Sequence, residues 1–378
     1  MTAVLSTVRP FTVAVPQADL DDLQDRLART RLPQPAPGDD WAYGTPVSYL
    51  RETVEAWRSF DWRAVEERIN RFEHVLVEVD GRTVHAIHAR SAEPTATPLL
   101  LAHSYPGSFL DVVDLIEPLV DPVAHGGRPE EAFHVVVPSM PGVGFSPAID
   151  EPGWTTRRTA ELYDHLMRTL GYASYGVHGS DLGATVAREL GLLAPPGLLG
   201  IHVLQLFSFP SGDPAEFEGF GPAEYAALEH MQWFQAVGGY NQMNASRPQT
   251  IGAALADSPV AQLAYSELFE SFGNGTSLVT RDQVLAQVTL AWLTNSGGTA
   301  ARYYHEDARA GAEPAVNHTP TAVLVFPDDF TTIRSLAERD NSAVVRFTHA
   351  TRGGHYASME SPAEIVADLR ATGWPAAR

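Results

Sequence analysis

With 378 residues the chain has room for one large α/β domain carrying an insertion or an extension, or for two domains. Its 46 acidic against 26 basic residues give a net charge of −20, which argues against nucleic acid and anionic membranes as partners. The absence of Cys excludes disulfides, thiol catalysis and Cys-metal sites, and because every basic residue is Arg, Lys-nucleophile and Schiff-base chemistry are excluded too.

The start, Met1 to Pro16, lacks the basic and apolar regions of a signal peptide. No run approaches the roughly 20 apolar residues of a membrane span, so a soluble cytoplasmic protein is expected. Further on, Leu20, Leu23 and Leu27 share one helical face. A Pro-rich connection from Leu32 to Pro37 follows, then a second amphipathic run from Val47 to Phe60. Residues 1–70 therefore read as a helical arm packing on the main domain.

From Glu73 the period becomes that of strands. His74–Val79 and Arg82–His88 flank Asp80-Gly81, a hairpin pattern. Pro98–His103 and His134–Pro138 are short and uniformly apolar, as in buried parallel strands, and Ile201–Leu206 continues the series. From about Phe207 the chain turns to helix-type runs rich in Trp, Tyr, Phe and Leu, and strand patterns return only at Thr319–Phe326 and Val344–Phe347. A core of residues 71–206 and 314–378 interrupted by a helical lid, 207–313, is the economical reading. The lid would cover the carboxyl ends of the strands, where open α/β sheets bind ligands.

The most informative stretch is Tyr175-Gly176-Val177-His178-Gly179-Ser180-Asp181-Leu182-Gly183, followed at once by a helix-type run. It has the small-x-nucleophile-x-small form of a nucleophile elbow. Centring on Ser180 would put His178 and Leu182 at the crowded flanking positions, whereas centring on Asp181 puts glycine at both. A carboxylate nucleophile changes the chemistry. Attacking an alkyl carbon, it forms an ester whose carbonyl belongs to the enzyme and which water can reopen; serine would leave an inert ether. An Asp elbow therefore points to displacement at saturated carbon, as in epoxides or alkyl halides.

Two later strand ends complete a set: Phe326-Pro327-Asp328-Asp329 and Gly353-Gly354-His355. The chain order Asp181, Asp329, His355 is nucleophile, acid, histidine, as in α/β-hydrolases. Asp328 adjoins Asp329 and competes for the acid's role. His85 and His88, three apart on a strand, face opposite ways, and no metal site is expected.

On these motifs the chain resembles the microsomal-type epoxide hydrolases. Arg9-Pro10-Phe11 through Trp57 is similar to that family's amino-terminal arm, His103-Ser104-Tyr105-Pro106-Gly107-Ser108 to its His-Gly-x-Pro oxyanion motif, and Pro138–Ser146 to its Pro-Ser-x-Pro-Gly-x-Gly-Phe-Ser segment. The resemblance implies an α/β-hydrolase fold with a mainly parallel eight-stranded sheet and the lid inserted after the sixth strand. It implies a triad of Asp181, Asp329 and His355, with backbone oxyanion donors on Tyr105 and Leu182. It also implies two lid acids, Tyr240 and Tyr304, with Tyr303 able to exchange roles with Tyr304, and a cis Tyr105-Pro106 bond. His103, Pro106, Trp233 and Tyr303 are the expected pocket residues. The expected partners are a small-molecule epoxide and water, with no cofactor; a homo-oligomer is left open.

Two departures stand out: Ser104 where Gly is usual, and Leu182 where Trp is common. Leu182 weighs against a haloalkane dehalogenase, the first rival, whose Trp at this place holds the halide. A catalytically silent hydrolase fold and an ordinary esterase are the others.

Overall fold

In the computed structural model, which describes residues 8–311 and 315–374, the described residues contain nine strands in one sheet, ordered β1-β2-β3-β5-β4-β6-β7-β8-β9. The strands are β1 (Val8–Phe11), β2 (His74–Val79), β3 (Arg82–Ala89), β4 (Thr97–Ala102), β5 (Phe133–Pro138), β6 (Tyr175–Gly179), β7 (Leu198–Val203), β8 (Thr321–Val325) and β9 (Val344–His349). From β5 to β9 in that order all neighbours are parallel, while β1, β2 and β3 are joined antiparallel, β3 also to β5. Asp80 and Gly81 close the β2–β3 hairpin with φ of 51° and 78°, the positive values a two-residue turn of this kind requires.

The expected count of eight strands is corrected to nine. The extra one, β1, comes from the arm and pairs with β2 from Val8↔Val77 to Phe11↔His74. Its residues are mostly exposed and include Pro10, which an edge strand tolerates, so it carries no apolar alternation to read. Counted from β2, the long helical interruption does follow the sixth strand.

The remaining arm is helical: α1 (Gln17–Ala28), α2 (Val47–Arg58) and α3 (Trp62–Ile69), the last capped by Asp61, whose carboxylate accepts from the N–H groups of Arg63 and Ala64. Its faces divide. Val13, Trp62 and Ile69 join the core beneath the sheet, whereas Leu23, Leu27, Leu50, Val54 and Trp57 pack with residues 263–288 of the helical interruption. Trp57 donates its Nε1–H to Thr289 Oγ1 at 2.7 Å within that contact. The arm thus bridges sheet and helices.

Helices cover both faces of the sheet. α4 (Val113–Val120) lies on one, α5 (Thr156–Thr169) and α6 (Leu182–Leu193) on the other. Burial on two sides explains why β4 and β5 read as unbroken apolar runs. Between β7 and β8 run α7 (Pro222–Val237), α8 (Gly239–Ser246), α9 (Pro248–Asp257), α10 (Pro259–Tyr265), α11 (Arg281–Leu293) and α12 (Gly297–Ala310). The expected end of the lid at residue 313 lies outside the described residues. The chain closes with α13 (Arg334–Asp340), α14 (Ala357–Glu360) and α15 (Pro362–Arg370); α15 packs on the same face as α4.

Candidate active site

Asp181 sits between β6 and α6 with φ 51° and ψ −118°, a strained conformation for a residue with a side chain. The turn is as crowded as the sequence implied. A Cβ on Gly179 would overlap the Gly183 carbonyl, and one on Gly183 would overlap that of Ala102. The elbow presents Asp181 at the start of α6, where unpaired helix N–H groups favour negative charge. Asp181 Oδ2 accepts a hydrogen bond from Tyr105 N at 2.9 Å, and Leu182 N–H also favours the anion. Burial outweighs these, together with the nearby His355 charge, and holds the Asp181 pKa above the usual carboxylate range.

His355 lies between β9 and α14. Its Nδ1 is 2.8 Å from Asp329 Oδ1, and its Nε2 faces Asp181 Oδ1 at 3.8 Å without a hydrogen-bond partner among the described residues. Burial alone would lower its pKa, but the Asp329 carboxylate, then Asp181 and Glu360, reverse that and raise it to about 9. Asp329, after β8, is buried too. Burial would raise its pKa, yet the His355 charge and hydrogen bond, with a further donor from Gln205, hold it below the ordinary value. The neighbouring Asp328 is exposed at the cavity's edge, its N–H donating to Gly353 O. Glu360 accepts from Gly354 N and, at 2.9 Å, from Leu278 N, tying the histidine loop to the segment before α11.

Above these three side chains lies a cavity of about 480 Å³ bordered by Asp181, Asp329, His355, Tyr240 and Tyr304. That volume suits a small organic molecule. Tyr240 on α8 and Tyr304 on α12 stand edge to face, ring centroids 5.9 Å apart, and Tyr105 packs against both. Burial, with the Asp181 charge adding, pushes both phenols well above their ordinary pKa, so they stay protonated donors at any working pH. Phe207, Trp233, Phe234, Leu268, Phe272 and Phe330 supply an apolar, largely aromatic lining.

Comparison with known proteins fits this geometry. Residues 8–112 match the family described as "Epoxide hydrolase N terminus", and residues 97–236 match the alpha/beta hydrolase fold family. A Stigmatella aurantiaca (strain DW4/3-1) protein named "Putative epoxide hydrolase" is 39% identical over 96% of this chain and 84% of its own length. The chain belongs to the epoxide hydrolase family. Epoxide hydrolase 1 of Sus scrofa is 28% identical, covering 96% of this chain and 88% of that one. The solved structure of Aspergillus niger epoxide hydrolase superposes with a TM-score of 0.85 at 30% identity, covering 97% and 96% of the two chains. Juvenile hormone epoxide hydrolase of Bombyx mori shares the fold at a TM-score of 0.87 and 23% identity, covering 97% and 94%.

Not every residue expected in the pocket of this epoxide hydrolase family member lies there. Trp233 lines the cavity, but His103, Pro106 and Tyr303 do not. His103 is buried beneath, its Nε2 accepting from Met140 N at 3.1 Å, so it orients backbone. Tyr303 points to the other side of α12, bonded to Thr159 Oγ1 and Pro141 O at 3.2 and 3.1 Å. Pro106 follows a cis bond, as the resemblance implied, but only its neighbour Tyr105 reaches the site.

Ser104, the departure from Gly, donates its hydroxyl to the buried Asp111, which also accepts from Ser104 N and from Gln287 of α11. Gln287 in turn accepts from Ser108 Oγ at 2.7 Å, joining the loop after β4 to the helices above it. Gln205, two positions beyond β7, is a site residue that sequence reasoning missed. Its Oε1 accepts from Asp181 N at 2.6 Å and its Nε2 donates to Asp329 Oδ2. No motif marks it.

Proposed function

We propose that this chain opens an apolar, aromatic-sized epoxide to a vicinal diol in two steps, without a cofactor, beneath a helical lid of residues 207–313. Supporting this is one arrangement: a strained carboxylate with one oxygen already at a backbone N–H and the other facing both a histidine and a cavity bordered by two phenols. Tyr240 and Tyr304 donate to the epoxide oxygen while Asp181 attacks one ring carbon. The C–O bond breaks, the alkoxide takes a phenolic proton, and an alkyl-enzyme ester remains. Oδ2 stays at Tyr105 N, so Oδ1 is the attacking oxygen.

In the second step His355, oriented by Asp329, takes a proton from water, which adds to Asp181 Cγ. The tetrahedral oxyanion then develops on Oδ2, already 2.9 Å from Tyr105 N, with Leu182 N–H as the second donor. Each such donor is worth about 3 kcal/mol at the transition state. Collapse breaks the Cγ–Oδ1 bond, the departing diol oxygen takes the proton from His355, and the new carboxylic acid passes its proton to His355, restoring carboxylate and imidazolium. A histidine already carrying a proton cannot act as base, and at neutral pH the resting His355 carries one. Esterification removes the Asp181 charge that helps hold that proton, which passes to the phenolate left by the first step, so the base is freed only then.

No described helix is long and apolar enough to cross a membrane. Dehalogenation is the weaker reading, since Leu182 stands in the cavity where a halide-holding Trp would be needed and two phenols suit an oxygen leaving group. Mass spectrometry of His355→Gln after incubation with styrene oxide tests the course. The expected result is a gain of one substrate mass on the peptide containing Asp181. An unmodified protein with turnover intact would overturn it.

A further inference from the structure

Gln205 is 1% exposed, lies two positions beyond β7, and bonds both the Asp181 backbone and the Asp329 carboxylate. The Asp181 N–H requires an acceptor and the Asp329 carboxylate requires a donor, so only one orientation of the amide satisfies both. A connected network results: Asp181 N–H donates to Gln205 Oε1, Gln205 Nε2–H to Asp329 Oδ2, and His355 Nδ1–H to Asp329 Oδ1, while His355 Nε2 faces Asp181 Oδ1. Each Asp329 oxygen therefore has its own donor, which fixes the carboxylate plane and with it the imidazole.

We propose that Gln205 is a positioning residue for the hydrolytic step, locking Asp329 as a two-donor carboxylate and coupling it to the backbone of the nucleophile. The proposal rests on the triad reading above. Its chemical content is specific. A side chain there must donate to Asp329 and accept from Asp181 N at once, which an amide does at every pH and a carboxyl group does only while protonated.

Two variants separate this from a merely space-filling buried glutamine. Gln205→Leu removes both hydrogen bonds at similar volume. With the fold retained by circular dichroism, kcat for styrene oxide is expected to fall by about 10- to 100-fold, within or below the range for losing a general base. KM should fall with it as alkyl-enzyme accumulates. Gln205→Glu is near-isosteric, and its activity should recover as pH is lowered and the introduced carboxyl regains its donor, opposite to the parent, whose base is lost on acidification. An NMR titration of His355 in Gln205→Glu should show a second inflection from the introduced group, whether or not an epoxide is turned over. Both variants within twofold of the parent, with an unchanged pH profile and a single inflection, would overturn the proposal. A parent that opens no epoxide, with the second inflection present, would instead count against the function alone.

Discussion

Replacing Asp181 by Asn asks whether the charge of the proposed nucleophile keeps the proposed base, His355, switched off. In the resting site the two groups approach to 3.8 Å, and the His355 pKa is raised to about 9 by Asp329 first and Asp181 next, against burial. Two unit charges about 4 Å apart interact by about 4 kcal/mol at an effective dielectric constant near 20. At about 1.4 kcal/mol per pH unit, that sets a ceiling near three. Because the pair borders an open cavity, the expected fall on removing the carboxylate charge is about one to two pH units. The direction follows from the charge: losing an anion disfavours the imidazolium, so the proton leaves at lower pH. The alkyl ester has the same neutrality, hence hydrolysis of the intermediate should rise with pH and level off below 9. NMR of histidine-labelled protein, with the His355 resonance assigned by its loss in His355→Gln, measures this directly. Asp181→Ala guards against a new amide hydrogen bond. If His355 in both variants still titrates at about 9 or higher, esterification does not release the base.

The tyrosines give a sharper contrast. Tyr240→Phe and Tyr304→Phe should each slow alkylation by about 10²-fold in single-turnover kinetics, the scale of losing one donor to a developing oxyanion. Tyr303→Phe should leave that rate within about twofold and cost about 1 kcal/mol of stability in urea unfolding, because its hydroxyl serves Thr159 and Pro141. Gly183→Ala drives a methyl into the Ala102 carbonyl. It should lower stability by about 1–3 kcal/mol and displace the elbow, with activity lost in proportion, read from the urea midpoint and initial rates.

What was legible beforehand was whatever local sterics or solvation write into neighbouring residues. The Asp80-Gly81 turn, the doubly buried β4 and β5 and the two glycines around Asp181 are of that kind, since each pattern is imposed by atoms a few residues away. β1 was missed because an exposed four-residue edge strand owes its state to β2, more than sixty positions later. Choices between adjacent residues were open for a related reason. Tyr303 and Tyr304 differ by about 100° around α12, so only one can face the cavity, but composition does not say which. Asp328 and Asp329 likewise divide into an exposed residue at the cavity's edge and a buried carboxylate.

Gln205 and Gln287, which no local pattern marks, share a property: each has a donor and an acceptor to place, and each spans elements distant in sequence. Around a buried carboxylate such residues follow from necessity. Asp111, burial pushing its pKa to about 7, needs donors to remain charged near neutrality, and Ser104 supplies one where Gly could not. Asp329, equally buried, has its pKa held low by His355 and Gln205. The two acids differ less in burial than in what surrounds them: a charge partner on one side makes Asp329 a permanent anion, and its lack leaves Asp111 close to titrating. On the proposed course, a histidine paired with a reliably charged acid and facing a nucleophile whose charge disappears during the reaction can time its own deprotonation. That timing requires the polar scaffold around the triad as much as the three side chains that resemblance picks out.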